Sequence, residues 1–120
     1  MFIKKFKDCQ EIIAGDSTIL RETLSPLHDG VESRYSLAHA KLPVGAKSVP
    51  HAMKTTEAYF IVRGMGIMHI DNEQQKVEKY DTVYIPPHGI QHLENIGQDE
   101  LEFICIVDPA WRVEDELTGS

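Results

Sequence analysis

The sequence predicts an all-β domain, and three observations support this class. Short apolar segments recur along the chain, and turns rich in Gly, Pro, Asn or Asp separate them. Several segments alternate apolar and polar residues with a period of two, which is typical of strands. No stretch has the apolar spacing of a convincing amphipathic helix. Many short strands with regular turns predict a sandwich or barrel, and 120 residues suffice for one such domain.

The first part of the chain is expected to supply edge strands. Residues 1–7 are consistent with a short edge strand whose lysines would discourage pairing with other molecules. The turn sequence at 15–17 separates apolar runs at 12–14 and 19–21, which predicts two strands rather than a helix. Residues 26–30 are expected to form a loop.

The segment 35–42 predicts the next strand, and its alternation divides the side chains between two faces. His39 shares one face with Tyr35, Leu37 and Lys41. Two interpretations of His39 stay open. Its imidazole could line a pocket beside the next strand, or it could be a partly exposed side chain next to Lys41.

The remaining strands are expected in the second half of the chain, at 58–62, 67–70, 75–77, 82–85, 90–95 and 101–107. The first of these is apolar at every position, so it is expected to be buried on both faces. The acidic segment at 114–116 is expected to remain solvated.

The most informative stretch is GAKSVPHAMKTTEAYFIVRG, in which His51 and Met53 are two residues apart. Side chains two apart on a regular strand point to the same face, so these two should project together. Glu57 has the same parity, although a turn before it could change its direction. An imidazole and a carboxylate that converge inside a small barrel would suit a divalent metal ion.

This stretch, residues 45–64, resembles the first motif of the cupin superfamily, G-x5-H-x-H-x3,4-E-x6-G. Gly45, His51, Glu57 and Gly64 occupy their motif positions, and Met53 replaces the second histidine. A single His–Glu pair would be better explained as a structural histidine and a solvated glutamate. Four matching positions favour the cupin interpretation.

Residues 81–97, DTVYIPPHGIQHLENIG, resemble the second cupin motif, G-x5-P-x-G-x2-H-x3-N, in two competing alignments. A gapped alignment places His92 at the motif histidine. The ungapped alignment places Gln91 there, with His88 at the inner motif glycine and Tyr80 at the first one.

Strand alternation bears on this choice. Leu93 requires a core position, and it shares a strand face with Gln91 and not with His92. A shift of one residue would reverse every side chain. The alternation therefore favours Gln91 inward and His92 outward.

The resemblance implies a small single-domain cupin of the cupin 2 conserved barrel type that spans residues 1–120. Such a domain is a double-stranded β-helix, or jelly-roll barrel, and often a homodimer. The carried-over metal ligands are His51, Glu57 and Gln91, and the residues expected to line the pocket are Met53, His39 and Tyr59. Because two motif imidazoles are absent, zinc, nickel, iron or manganese would be bound weakly.

Three function classes follow from this resemblance. The first is a metal-binding cupin that acts as an enzyme on a small oxygenated metabolite at the barrel mouth. The second is a non-catalytic binder of a small molecule without a tightly bound metal. The third is a metal-free isomerase-like cupin in which a histidine base works with a carboxylate. Fold alone does not choose among them.

Composition excludes other classes. The formal net charge of −7 gives no basic excess for nucleic acid. No apolar run approaches the length of a membrane span, and the N-terminus lacks the apolar core of a signal peptide. Two cysteines are too few for a disulfide framework, so a reducing cytoplasm is expected. Cys105 lies in an apolar run and is expected to be a buried free thiol.

Overall fold

The computed structural model describes residues 1–118, and the described part of the chain folds into eleven strands with little helix. The strands are β1 (Glu11–Ile13), β2 (Ile19–Leu24), β3 (Ser36–Leu42), β4 (His51–Met53), β5 (Thr56–Arg63), β6 (Met65–Ile70), β7 (Glu73–Glu78), β8 (Thr82–Ile85), β9 (Gln91–Asn95), β10 (Leu101–Asp108) and β11 (Glu116–Thr118). One helical turn, α1, covers Pro26–Asp29, and 3₁₀ turns cover Phe6–Asp8 and Val113–Asp115. The predicted all-β class is confirmed.

The strands form two antiparallel sheets that pack face to face. Sheet A has the order β1-β2-β3-β10-β5-β8, and sheet B has the order β11-β4-β9-β6-β7. Neighbours in each sheet are often far apart in sequence, as in a jelly roll. β10, for example, pairs with both β3 and β5.

The core lies between the sheets because each central strand alternates inward apolar and outward side chains. In β10, Leu101, Phe103, Cys105 and Val107 are buried, whereas the intervening residues are partly or fully exposed. Leu93 of β9 is buried opposite them in sheet B. This alternation fixes which side chains reach the interior cavity.

Several local expectations are wrong. Residues 1–7 form no strand, and a 3₁₀ turn begins at Phe6. Residues 26–29 form a helical turn because Ser25 caps it with a hydrogen bond from the His28 amide. β5 is not buried on both faces, since Phe60 remains 39% exposed on the outer face.

The acidic segment at 114–116 is solvated only in part, because Glu114 is exposed but Asp115 is buried. Asp115 is 7% exposed, and its carboxylate accepts hydrogen bonds from Arg112 Nε at 3.1 Å and Nη2 at 3.3 Å. β11 begins at Glu116 and pairs with β4. The end of the chain therefore covers the edge of the strand that carries His51.

The glycine positions of the two motifs have a backbone explanation. Gly45 and Gly64 have φ values of 77° and 91°, and a Cβ at Gly64 would lie 2.8 Å from the Glu100 carbonyl oxygen. Tyr80 and His88 stand where the second motif has glycines, and their φ values are 75° and 67°. The backbone is therefore left-handed at both of these motif positions, although neither residue is glycine.

In the described part of the chain, no helix has both the length and the apolar character needed to cross a membrane.

Candidate functional site

A cavity of about 490 Å³ opens between the two sheets. Its volume falls in the range of small-molecule sites. Its inner wall carries four titratable side chains and one thioether: His51, Glu57, Tyr59, Cys105 and Met53. The segment before β2 closes the other side, where Cys9, Ile12 and Asp16 line the cavity.

The strands of the first motif aim its side chains into this cavity. His51 and Met53 share a face of β4, and Met53 is 3% exposed. The Nδ1 of His51 lies 3.1 Å from the Val49 carbonyl oxygen. That carbonyl can only accept, so in the neutral ring this contact assigns the proton to Nδ1 and the lone pair to Nε2. His51 can therefore act as a base or a ligand through Nε2.

A buried hydrogen-bonded chain runs along the inner wall. The Tyr59 hydroxyl donates to Gln91 Oε1 at 2.7 Å, and Gln91 Nε2 donates to Glu57 Oε1 at 2.6 Å. The Cys105 thiol donates to Glu57 Oε2 at 2.8 Å. All four residues are buried. Every donor in the chain thus leads toward the Glu57 carboxyl group.

Burial is the main cause of the shifted pKa values in this hydrogen-bonded network. It raises the pKa of Glu57, although the hydrogen bonds from Cys105 and Gln91 and the nearby His51 act in the opposite direction. Burial also raises the pKa values of Tyr59 and Cys105 well above their ordinary values, and the Glu57 charge adds to both shifts. Tyr59 and Cys105 are therefore neutral donors, and Glu57 takes up a proton more readily than an exposed glutamate.

Such a set can do two things. It can orient a polar group of a bound molecule beside the His51 Nε2 lone pair. It can also move a proton, since a histidine base stands on the same wall as a carboxyl group of raised pKa.

The structure places Gln91 inside and His92 outside. Gln91 is 0% exposed and lies opposite His51 in the pairing of β4 with β9. His92 stacks on His69 on the outer face of sheet B, with the ring centroids 4.0 Å apart. Gln91, His51 and Glu57 are therefore brought together as the ungapped alignment requires.

His39 does not join them. Its ring packs edge-to-face against Phe6, with the centroids 4.9 Å apart, while Ala38 and Ala40 of the same strand line the cavity. The expectation that His39 lines the pocket is therefore corrected, because its ring packs on Phe6 and is not part of the cavity wall. Met53 and Tyr59 do line the cavity.

The donors available for a metal ion are few. Within residues 1–118, no three His, Cys, Asp or Glu side chains are grouped so that they could hold a metal ion. Gln91 Oε1 accepts from Tyr59, and both Glu57 oxygens accept hydrogen bonds. Because these donor atoms are already engaged within the protein, the residues present do not fit a tightly bound metal.

Two contributors to the site were missed by the sequence reasoning. Cys105 was expected to be buried, but its bond to Glu57 depends on the pairing of β10 with β5, where it lies opposite Tyr59. Its parity with Phe103 and Val107 is the signal that places it inside. No local pattern indicated that the turn at Asp16 would reach the cavity.

Comparisons with known proteins agree with this architecture. The family model described as Cupin domain matches residues 38–107. An uncharacterized protein from Methanocaldococcus jannaschii, MJ1618, is 43% identical over 105 residues, which cover 86% of this chain and 82% of that protein.

Solved structures show the same fold at low sequence identity. The polyketide cyclase RemF from Streptomyces resistomycificus superposes with a TM-score of 0.82 at 13% identity, over 100% of this chain and 86% of RemF. A cupin 2 domain-containing protein from Halorhodospira halophila superposes with a TM-score of 0.71 at 22% identity. The match covers 77% of this chain and 64% of that protein, so this chain spans less than two thirds of its length.

Proposed function

Because this chain belongs to the cupin family, we propose that it binds a small oxygenated molecule in the cavity between its sheets, without a tightly bound metal. The observation that carries this proposal is the buried chain from Tyr59 through Gln91 to Glu57 on the inner wall. A buried polar network is costly unless it is fully satisfied. The polar groups of this network are satisfied by one another, and two of its members, Tyr59 and Glu57, line the cavity together with His51.

The rest of the cavity wall supports a ligand with an apolar body. Phe103 and Val107 are buried core residues that also line the cavity, and Trp111 packs beside them. Apolar walls combined with placed polar groups are typical of small-molecule sites. The ligand's oxygen would lie at the His51 end and its carbon skeleton against the aromatic wall.

The test fills the cavity and leaves the fold intact. Ala38 lines the cavity, and Ala58 lies on the adjacent part of sheet A without lining it. Ala38→Phe should abolish binding of small alcohols and ketones measured by isothermal titration calorimetry, and Ala58→Phe should preserve it. Equal binding by both variants, with both folded by circular dichroism, would contradict the proposal.

An enzymatic role is the natural extension of this binding. His51 Nε2 can accept a proton from a bound molecule, and Glu57 can hold or return one because its pKa is raised. The fold neighbour RemF is a polyketide cyclase, which shows that this architecture supports catalysis in another protein. In deuterated solvent, the wild type should exchange a proton of its substrate for deuterium. His51→Gln should not, because it lacks the base.

Metal binding is the second candidate function, and one observation favours it. His51, Met53 and Glu57 line one cavity, and Gln91 lies opposite His51 in the pairing of β4 with β9. A divalent ion such as zinc, nickel, iron or manganese would be held by these groups only weakly, because it would have to displace the internal hydrogen bonds of Glu57. Metal analysis should then show His51→Ala to lose the bound ion and His92→Ala to retain it, since His92 faces outward.

We also propose that the protein is a cytoplasmic homodimer. Both cysteines are free and buried, which suits a reducing compartment. Apolar side chains of β5, β8 and β10 remain exposed on the outer face of sheet A, including Phe60, Tyr84 and Ile106. A second copy that packs against this face would bury them.

A further inference from the structure

We propose that the cavity selects a ligand that carries a positively charged ammonium group and rejects a carboxylate. This inference rests on the proposed function, because it names the charge class of the molecule bound in the same cavity. Five carboxyl side chains line the cavity: Asp8, Asp16, Glu22, Glu57 and Glu116. Among the described residues, the lining contains one lysine, Lys4, and no arginine.

Two basic groups of the lining, Lys4 and His28, are already engaged with carboxylates. Lys4 Nζ lies 3.0 and 3.2 Å from the two carboxylate oxygens of Asp29. His28 Nδ1 lies 2.7 Å from Glu22 Oε1. A ligand carboxylate would have to compete with these internal partners for its counter-charge, so binding it would leave a charge poorly compensated.

The carboxylates of Asp16 and Glu116, in contrast, form no salt bridge among residues 1–118. Asp16 Oδ1 accepts hydrogen bonds from the amide and the hydroxyl of Thr18, at 3.0 and 2.6 Å, and Oδ2 accepts none from the described residues. Glu116 Oε2 lies 3.6 Å from the point where a side chain on Gly15 would begin. Both carboxylates therefore stand at the same turn on the cavity wall.

The charge of Asp16 acts across the cavity. Burial is the main cause of the raised pKa values of Tyr59 and Cys105, and the Asp16 carboxylate raises both further. These side chains are on the inner wall, so the field of Asp16 reaches the place where a ligand would sit. A cavity lined by charge of one sign with apolar walls concentrates ligands of the opposite sign.

The inference is tested with three probes that share one apolar body and differ in charge: phenethylamine, phenethyl alcohol and phenylacetate. Calorimetric titration of the wild type should rank them in that order of affinity. Asp16→Asn keeps an oxygen for the Thr18 bonds and should weaken phenethylamine about fivefold, the effect of one charge pair near a surface, with the alcohol unchanged. Asp99→Asn removes an exposed carboxylate outside the cavity and is the matched control.

The outcomes separate the two proposals. If phenylacetate binds as tightly as phenethylamine, or if Asp16→Asn binds the amine unchanged, the charge class is wrong and small-molecule binding stands. If none of the three probes binds the wild type, or if all bind Ala38→Phe equally well, the proposed function fails together with the inference. Loss of amine affinity in Asp16→Asn with unchanged alcohol affinity supports both.

Discussion

Gln91 Nε2 donates a hydrogen bond of 2.6 Å to Glu57 Oε1 and so joins the two sheets of the barrel across its interior. Gln91 belongs to β9 of sheet B, and Glu57 belongs to β5 of sheet A. Gln91 also accepts from Tyr59, so a single amide satisfies both neighbours. Because a buried polar group without a partner loses its solvation uncompensated, this amide is a structural as well as a functional element.

Replacing that amide should cost stability. Gln91→Leu has a similar volume but leaves the Tyr59 hydroxyl and one Glu57 oxygen without their partner. Each buried unsatisfied group costs about 1–3 kcal/mol, so urea unfolding should show a loss of roughly 2–4 kcal/mol. Gln75→Leu, on the exposed side of β7, should change stability by less than about 0.5 kcal/mol. Equal effects would show that the network contributes no net stability.

The second prediction concerns the pH dependence of stability. Burial raises the pKa of Glu57, so the folded state binds this proton more tightly than the unfolded state does. The stabilisation is complete at low pH and is lost as pH rises from about 4.3, the unfolded pKa, through the raised folded pKa. Urea unfolding of metal-stripped protein over this range gives the free energy of unfolding at each pH. Its slope against pH should be less negative in Glu57→Gln than in the wild type. Identical slopes would mean that Glu57 titrates as it does in the unfolded chain.

The third prediction uses the backbone at His88. Its φ of 67° is costly for a residue with a Cβ by about 1–2 kcal/mol, and the cupin pattern has glycine there. Replacing His88 by glycine would remove this cost. Glycine also increases the entropy of the unfolded chain, which offsets the stabilisation by about 0.5–1 kcal/mol. His88→Gly should thus stabilise the protein by roughly 0.5–1 kcal/mol in chemical denaturation. His88→Ala removes the same imidazole and should give no such gain.

These residues also show what the sequence could predict. Strand alternation in β9 is local, so the parity of Leu93 was enough to indicate that Gln91 faces inward. The resemblance to the first cupin motif indicated that His51 and Glu57 belong to one site, whereas strand geometry alone could not, because β4 and β5 belong to different sheets. Neither the Cys105–Glu57 bond nor the approach of the predicted turn at Asp16 to the cavity could be predicted, since both depend on which distant segments pack together. β11 was missed because its pairing with β4 outweighs the high charge of its flanking residues.

The fourth prediction tests the proposed dimer. Phe60 and Ile106 are 39% and 40% exposed on the outer face of sheet A, where β5 and β10 pair. Light scattering should give twice the chain mass for the wild type. Phe60→Glu should give the monomer mass because a charge would be buried without a partner. Val113→Glu, at an exposed apolar residue on the 3₁₀ turn after β10, should remain dimeric. A monomeric wild type at micromolar concentration would remove the proposal.

The last prediction concerns Met53, which stands where the family pattern has a second metal-binding histidine. Met53 is 3% exposed and shares a strand face with His51, so its side chain already lies in the cavity. A thioether is a weak ligand for zinc or nickel, whereas an imidazole is a strong one. Met53→His would place two imidazoles on one face beside Glu57. Calorimetric titration of the metal-stripped proteins should show zinc or nickel binding at least about tenfold tighter in Met53→His, with a matching rise in melting temperature on addition of metal.

Met65→His adds an imidazole at a partly exposed residue of β6 outside the cavity and should bind metal as weakly as the wild type. If Met53→His binds no more tightly than Met65→His, the hydrogen bonds that engage Glu57 and Gln91 outweigh a second imidazole, and the cavity is a site for organic ligands alone.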